Sequence, residues 1–182
     1  MNELKGRKVA ILLANGFEQQ EMTDPKSALE QAGAEVFLVS PESNQVKGWK
    51  HTQWGDEFAV DIALDQAKAE QYDALMLPGG VMNPDKLRIT PAAVEFVKHF
   101  VSTKKPIAAI CHAPWILIDA NATKGQKLTS YPSIKIDLIN AGAEWTDAEV
   151  VRSGQLVTSR KPADLPAFNK VMISLFAEGV QS

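Results

Sequence analysis

Lys105-Pro106-Ile107-Ala108-Ala109-Ile110-Cys111-His112-Ala113-Pro114-Trp115 is the stretch that decides the fold. Its apolar run is short and made of small and β-branched residues, as in a strand buried on both faces. The run stops abruptly at Cys111-His112. Pro114 suits the first turn of a helix, where its missing N–H costs nothing. A strand that turns sharply into a helix with a nucleophile at the turn is a nucleophile elbow. The helix N-terminus then faces the thiol, which favours thiolate. A cysteine beside an apolar run is more often a small buried hydrophobe, so the context carries the reading rather than the cysteine itself.

On the N-terminal side, Lys8 to Leu13 reads as a first buried strand. Asp24-Pro25 reads as a helix start, cap followed by first-turn proline, with the helix running to about Gly33. Glu35 to Ser40 is a second strand stopped by Pro41, so the first forty or so residues form a βαβ unit. Gln45 to Ile62 is polar and holds Trp49, His51 and Trp54, which suggests a hairpin or loop excursion. A short helix is expected near Asp65 to Glu70. Tyr72 to Leu77 is a third strand, closed by Pro78-Gly79-Gly80, and Pro91 to Thr103 is a helix.

On the C-terminal side, Lys127 to Tyr131 reads as a strand, and Pro132-Ser133 begins a helix to about Ala141. Val150 to Thr158 folds back on itself around Ser153-Gly154. Asp164 is expected to cap a last helix, in which Phe168, Val171, Met172, Leu175 and Phe176 recur at helical spacing. Repeats, low-complexity tracts and linkers are absent, so residues 1–182 are expected to form one domain. Alternating strands and helices predict a doubly wound, mostly parallel α/β sheet with helices on both faces. Ligands in such sheets bind beyond the carboxyl ends of the strands. Asn15 to Glu18, Gly79-Gly80 and Cys111-His112 all fall there.

Composition narrows the class. A net charge of −3 without a basic block argues against nucleic acid or an anionic membrane as the main partner. One cysteine cannot make an internal disulfide. The polar N-terminal segment lacks the apolar core of a signal peptide, and no apolar run nears membrane-spanning length. A cytoplasmic protein is expected.

Glu18 follows the first strand closely. An arbitrary loop glutamate is a solvated carboxylate, but one held protonated at the same sheet edge as Cys111 could donate to the thiolate sulfur. Gly79-Gly80 is a tight turn, and its backbone N–H could join the N–H after the nucleophile in an oxyanion hole. His112 is one of three histidines; neighbouring side chains on a turn diverge, so its contact with the thiol is left open. His99, in a charged helix, is expected at the surface. His51 and His99 have no ligand spacing with Cys111, and no metal or cofactor motif is present. Trp49, Trp54 and Trp115 are read as packing residues before pocket residues.

Taken together, Asn15-Gly16-Phe17-Glu18, Leu77-Pro78-Gly79-Gly80, Ala109-Ile110-Cys111-His112-Ala113-Pro114, Thr129-Ser130-Tyr131-Pro132 and Thr158 to Asp164 span the chain in order. The sequence resembles the ThiJ/PfpI superfamily, in its PfpI branch. That resemblance implies a flavodoxin-like fold that forms dimers or higher homo-oligomers. It implies Cys111 as nucleophile and Glu18 as its protonated partner. Gly79, Gly80 and the residues after the nucleophile, His112 and Ala113, would form the oxyanion and binding backbone. In PfpI-like peptidases an acid shortly after the PGG turn, supplied by a neighbouring subunit, orients the histidine. Asp85 is the nearest match, an aspartate rather than a glutamate, after a segment one residue longer than expected. Glutamine amidotransferases on this fold use a later histidine, and none follows His112.

The expected activity is thiolate attack on a reactive carbonyl: a dicarbonyl, a glycated adduct or, as an alternative, a peptide bond. A non-enzymatic sensor or chaperone switched by oxidation of Cys111 is a further alternative.

Overall fold

Ile107–Ile110, the strand that ends at the elbow, lies inside a seven-stranded sheet in the computed structural model, which describes residues 2–179. In chain order the elements are β1 (Lys8–Leu12), β2 (Phe17–Glu18), α1 (Gln19–Gln31), β3 (Glu35–Ser40), β4 (Gln45–Lys50), β5 (Gln53–Ala59), β6 (Ile62–Ala63), β7 (Ala74–Leu77), α2 (Met82–Arg88), α3 (Pro91–Ser102), β8 (Ile107–Ile110), α4 (Pro114–Asp119), β9 (Lys127–Leu128), α5 (Lys135–Asn140), β10 (Glu144–Trp145), β11 (Val150–Ser153), β12 (Leu156–Ser159) and α6 (Leu165–Glu178). The main sheet has the order β11-β12-β8-β7-β1-β3-β6 and is parallel except where β11 meets β12. This is the doubly wound α/β architecture that the alternation of elements predicts, in the flavodoxin-like form that the resemblance implies.

The central strands are apolar throughout because both of their faces are covered. Val9, Ile11, Ala74, Met76, Ala108 and Ile110 face α1 and α6, where Met22, Leu29, Phe168, Met172 and Phe176 meet them. Ala10, Leu12, Leu75, Leu77, Ile107 and Ala109 face the opposite layer, filled by Phe96, Val97 and Phe100 of α3 with Ile116, Leu117 and Leu138. Each fully buried Phe or Leu contributes about 1.5–3 kcal/mol relative to exposure.

Several expectations need correction. The first helix begins at Gln19, not Asp24, and Pro25 lies inside it. Glu21, Met22, Pro25 and Leu29 form one buried stripe. Burying that stripe outweighs an interior proline penalty of about 3 kcal/mol. The strand expected from Lys127 to Tyr131 is only β9, paired with β10 outside the main sheet. The helix expected from Asp65 to Glu70 is a single 3₁₀ turn at Ala69–Gln71. Helix α2 is an element that the sequence reading does not contain. Asp164 precedes α6 but does not cap it: its carboxylate accepts from the backbone N–H of Arg160 and, in two bonds, from the Arg160 guanidinium. His99 is half-buried, with its Nε2 enclosed and its ring edge-on to Phe100.

The excursion after β3 is the hairpin β4–β5, which adds to the short β2 with Glu18 opposite Trp49. Gln19 fixes it there, donating to Asp56 Oδ2 at 2.7 Å and accepting the Asp56 N–H at 2.8 Å. No helix among the described residues is long and apolar enough to cross a membrane.

Candidate active site

Cys111 follows β8 with a left-handed backbone, φ 65°. A non-glycine residue there costs about 1–2 kcal/mol, so the surroundings must hold it. They do so through hydrogen bonds on both sides of the residue. The Cys111 N–H donates to Ser159 O at 3.0 Å, and the Cys111 carbonyl accepts the Tyr131 N–H at 2.9 Å. Ala113 N–H closes the turn onto Ile110 O at 3.1 Å. The sulfur is thereby presented at the floor of a cavity of about 640 Å³. Glu18, Glu21, Trp49 and His51 form one wall, Gly80, Val81 and Met82 a second, and Tyr131 with Lys161 to Ala163 a third. The three loops singled out at the sheet edge do converge.

The carboxyl group beside the sulfur belongs to Glu21, not Glu18. Glu21 is in the first turn of α1 and fully buried. Its Oε2 accepts the Gly79 N–H at 2.9 Å, and its carboxyl interacts with the Cys111 thiol. Its Oε1 is buried without a conventional hydrogen-bond partner. Burial, reinforced by the nearby Glu18 charge, raises the Glu21 pKa to about 8. A helix taken to start at Asp24 leaves residue 21 in a loop; starting at Gln19 it points Glu21 inward.

Glu18 lines the same cavity higher up. Its Oε1 is 3.7 Å from His51 Nδ1 across the hairpin. Burial raises its pKa as well, and the His51 charge opposes that rise.

Gly79 and Gly80 are required by space. A Cβ at Gly79 would strike Glu21 and lie 2.6 Å from both Cys111 Cβ and Ile110 O. Gly80 has φ 79°, and a Cβ there would lie 2.6 Å from Glu18 N and Gly16 O. The backbone groups of Gly80 and His112 act on the Cys111 thiol in the sense that favours thiolate, and that of Gly80 acts on the Glu21 carboxyl as well. The N–H of Gly79 is committed to Glu21 and that of Ala113 to Ile110, so neither is free to serve an oxyanion. Burial, with the Glu21 charge adding to it, pushes the Cys111 thiol up; the Gly80 and His112 donors pull the other way.

His112 does not diverge from the thiol. The left-handed turn folds its ring back, placing Nδ1 3.2 Å from Cys111 Sγ. Nε2 is 3.0 Å from Ser133 Oγ. Tyr131 stacks on the ring at 4.7 Å, and Trp115 meets it edge-on at 5.2 Å. Burial lowers the His112 pKa, so the imidazole is neutral near pH 7. Asp85 is exposed on α2 and does not line the cavity of its own chain. Trp49 is a wall residue as well as the edge-on partner of Trp54, 5.4 Å away.

Sequence reasoning missed Glu21, Ser133 and Asn83. Asn83 is wholly buried: its Oδ1 accepts the Ala14 N–H at 2.7 Å, and its Nδ2 donates to Pro78 O and Gly79 O. No group of three or more metal-ligating side chains occurs among the described residues.

Comparison with known proteins gives the family of the chain. General stress protein 18 of Bacillus subtilis is 44% identical over 172 residues, covering 93% of this chain and 98% of its own. Deglycase PH1704 of Pyrococcus horikoshii is 45% identical over 168 residues, covering 92% of this chain and 98% of its own. The crystal structure of Drosophila melanogaster DJ-1beta matches with a TM-score of 0.85 at 29% identity, over 94% of this chain and 91% of that one. The profile of the DJ-1/PfpI family matches residues 7–175, and the chain belongs to that family.

Proposed function

We propose that this protein is a cysteine-dependent hydrolase of reactive carbonyl compounds, acting on dicarbonyls or on the adducts they form with amines. The observation that carries the reading is the convergence on one sulfur: a buried carboxyl, two backbone N–H groups and an imidazole nitrogen around Cys111. The relatives named a deglycase and a general stress protein support the same class.

In the proposed reaction the thiol proton passes to His112 Nδ1 as the sulfur adds to an aldehyde carbon. The oxygen that gains charge is held by the N–H groups of Gly80 and His112. Glu21, protonated, donates to the sulfur or to that oxygen. For a 2-oxoaldehyde, the proton on the former aldehyde carbon moves to the neighbouring carbonyl carbon through an enediol. That step oxidises the first carbon, reduces the second and leaves a thioester of a 2-hydroxy acid. Water cleaves the thioester and returns the thiol. The net change is addition of one water with no external oxidant, and no cofactor is called for.

The test is methylglyoxal consumption and 2-hydroxy acid formation by wild type and Cys111→Ser. Turnover in wild type that is lost in the variant, by roughly a thousandfold or more, is expected for removal of a covalent nucleophile. Equal rates would remove Cys111 from the mechanism.

A further inference from the structure

We propose that Ser133 is the positioning residue of His112, supplied by the same chain, and that it holds the ring with Nδ1 unprotonated toward Cys111. The proposal rests on Cys111 being the nucleophile of the proposed function and deepens that reading.

A neutral imidazole has one donor nitrogen and one acceptor nitrogen. The two nitrogens of His112 have one partner each: Cys111 Sγ at Nδ1 and Ser133 Oγ at Nε2. Two arrangements satisfy those distances. The surroundings of the sulfur choose between them. The backbone groups of Gly80 and His112 already favour its thiolate form, and the Glu21 carboxyl beside it, with a pKa raised to about 8, carries a proton near pH 7 and is a donor rather than an acceptor. A sulfur so supplied with donors gains little from another N–H, whereas its own S–H needs an acceptor. Nδ1 is that acceptor, so the ring proton sits on Nε2 and Ser133 Oγ receives it.

The segment that carries Ser133 is tied to the elbow. Tyr131 N–H donates to Cys111 O, the Tyr131 ring stacks on His112, and Pro132–Ile134 form one 3₁₀ turn. Ring face and Nε2 partner therefore come from one short stretch. Besides Cys111, the charged or titratable groups lining the cavity around His112 are Glu18, Glu21, His51, Tyr131 and Lys161; Tyr131 stacks on the ring, and none of the five hydrogen-bonds to its nitrogens.

The chemical consequence concerns substrate class. When His112 takes the thiol proton it becomes a cation, and a hydroxyl orients that cation without neutralising it. Such a pair suits addition to an activated aldehyde, which needs only a brief proton acceptor.

The test separates the two orienting groups. The pH dependence of Cys111 alkylation by iodoacetamide, followed by intact mass, is measured for wild type, Ser133→Ala, Ser133→Thr and Asp85→Asn. Ser133→Ala is expected to slow alkylation at pH 7 by roughly tenfold, the size of one lost hydrogen bond, and to move the profile to higher pH. Ser133→Thr restores it, and Asp85→Asn leaves it unchanged. The ¹⁵N shifts of His112 in wild type are expected to report the Nε2–H form. An Nδ1–H form, an unmoved profile in Ser133→Ala, or a shift caused by Asp85→Asn instead would overturn the proposal. A wild-type thiol that stays unreactive to pH 9 would overturn it too. If the alkylation profile responds as expected but methylglyoxal is not consumed, the proposed function fails and the positioning role stands.

Discussion

At the scale of single residues, the site turns on a carboxyl kept from ionising. Glu21 has Oε2 on the Gly79 N–H and Oε1 with no conventional partner, both enclosed by protein. Ionisation would bury a charge that the Gly79 N–H and the other groups around it only partly offset, whereas a proton on Oε1 converts that atom into a donor. The pKa of about 8 lies above the ordinary glutamate value of 4.5. Between those values the folded protein holds a proton that the unfolded chain has released. Its contribution to stability is therefore fully present below pH 4.5 and lost as pH rises through about 8. The slope is about 1.4 kcal/mol per pH unit for a single proton. Urea denaturation at pH 5 and pH 8 is expected to show wild type losing stability relative to Glu21→Gln across that window. The His112 shift has the opposite sign, since a depressed histidine pKa adds stability as pH rises toward 6.5, and it cancels in the difference. Parallel curves for the two proteins would mean that Glu21 ionises normally in the fold.

At the scale of elements, two of the loops at the carboxyl edge of the sheet are joined by one amide. Asn83 of α2 accepts from Ala14 after β1 and donates to the carbonyls of Pro78 and Gly79 after β7. Gly79 O also receives the Glu18 N–H at 3.2 Å, so the peptide that presents Gly80 is fixed at both ends. Asn83→Ala strands these buried groups, each worth about 1–3 kcal/mol. We expect a loss of roughly 3 kcal/mol in urea denaturation, together with slower Cys111 alkylation in the fraction that remains folded. An alkylation rate equal to wild type would show that the turn is fixed without Asn83. The same elements show what sequence makes legible. Buried parallel strands declare themselves as apolar runs, so Glu35–Ser40 is legible to the residue and the run that stops at Cys111 is the strand Ile107–Ile110. The elbow and the Gly79-Gly80 turn followed from residues with few other uses. Helix α1 did not, because Asp24-Pro25 mimics a start locally while the buried stripe that overrides it is a tertiary property. The misplaced start cost the identity of the buried acid, three residues away on the chain and on a different element. Ser133 carried no local signal: its partner lies 21 residues away, and serine after proline opens turns everywhere.

At the scale of the whole molecule, Cys111 belongs to the apolar cluster that α6 helps to fill, but the polar groups that set its chemistry lie outside that cluster. The apolar layers on the two faces of the sheet run its full height, while the site lies beyond one end of it. Helix α6 shows the separation within one element. Its N-terminal approach, Lys161 to Ala163, lines the cavity, whereas Phe176 is buried two turns or more further along, near the end where Arg7 donates to Ala177 O. The left-handed backbone of Cys111 is held by hydrogen bonds from Ser159 and Tyr131, none of which involves α6. Removing the Phe176 ring therefore reduces the energy of the core without touching the groups that set the thiol. Phe176→Ala is expected to lose about 3–5 kcal/mol. Against a total of about 5–15 kcal/mol for a domain of this kind, part of that margin remains. Measured at 15 °C on protein shown by circular dichroism to be folded, the alkylation rate of Cys111 and its pH profile should match wild type. A rate altered in proportion to the lost stability would mean that the thiol reacts only in a partly opened state. The cavity seen at the sheet edge would then not be the species that does the chemistry.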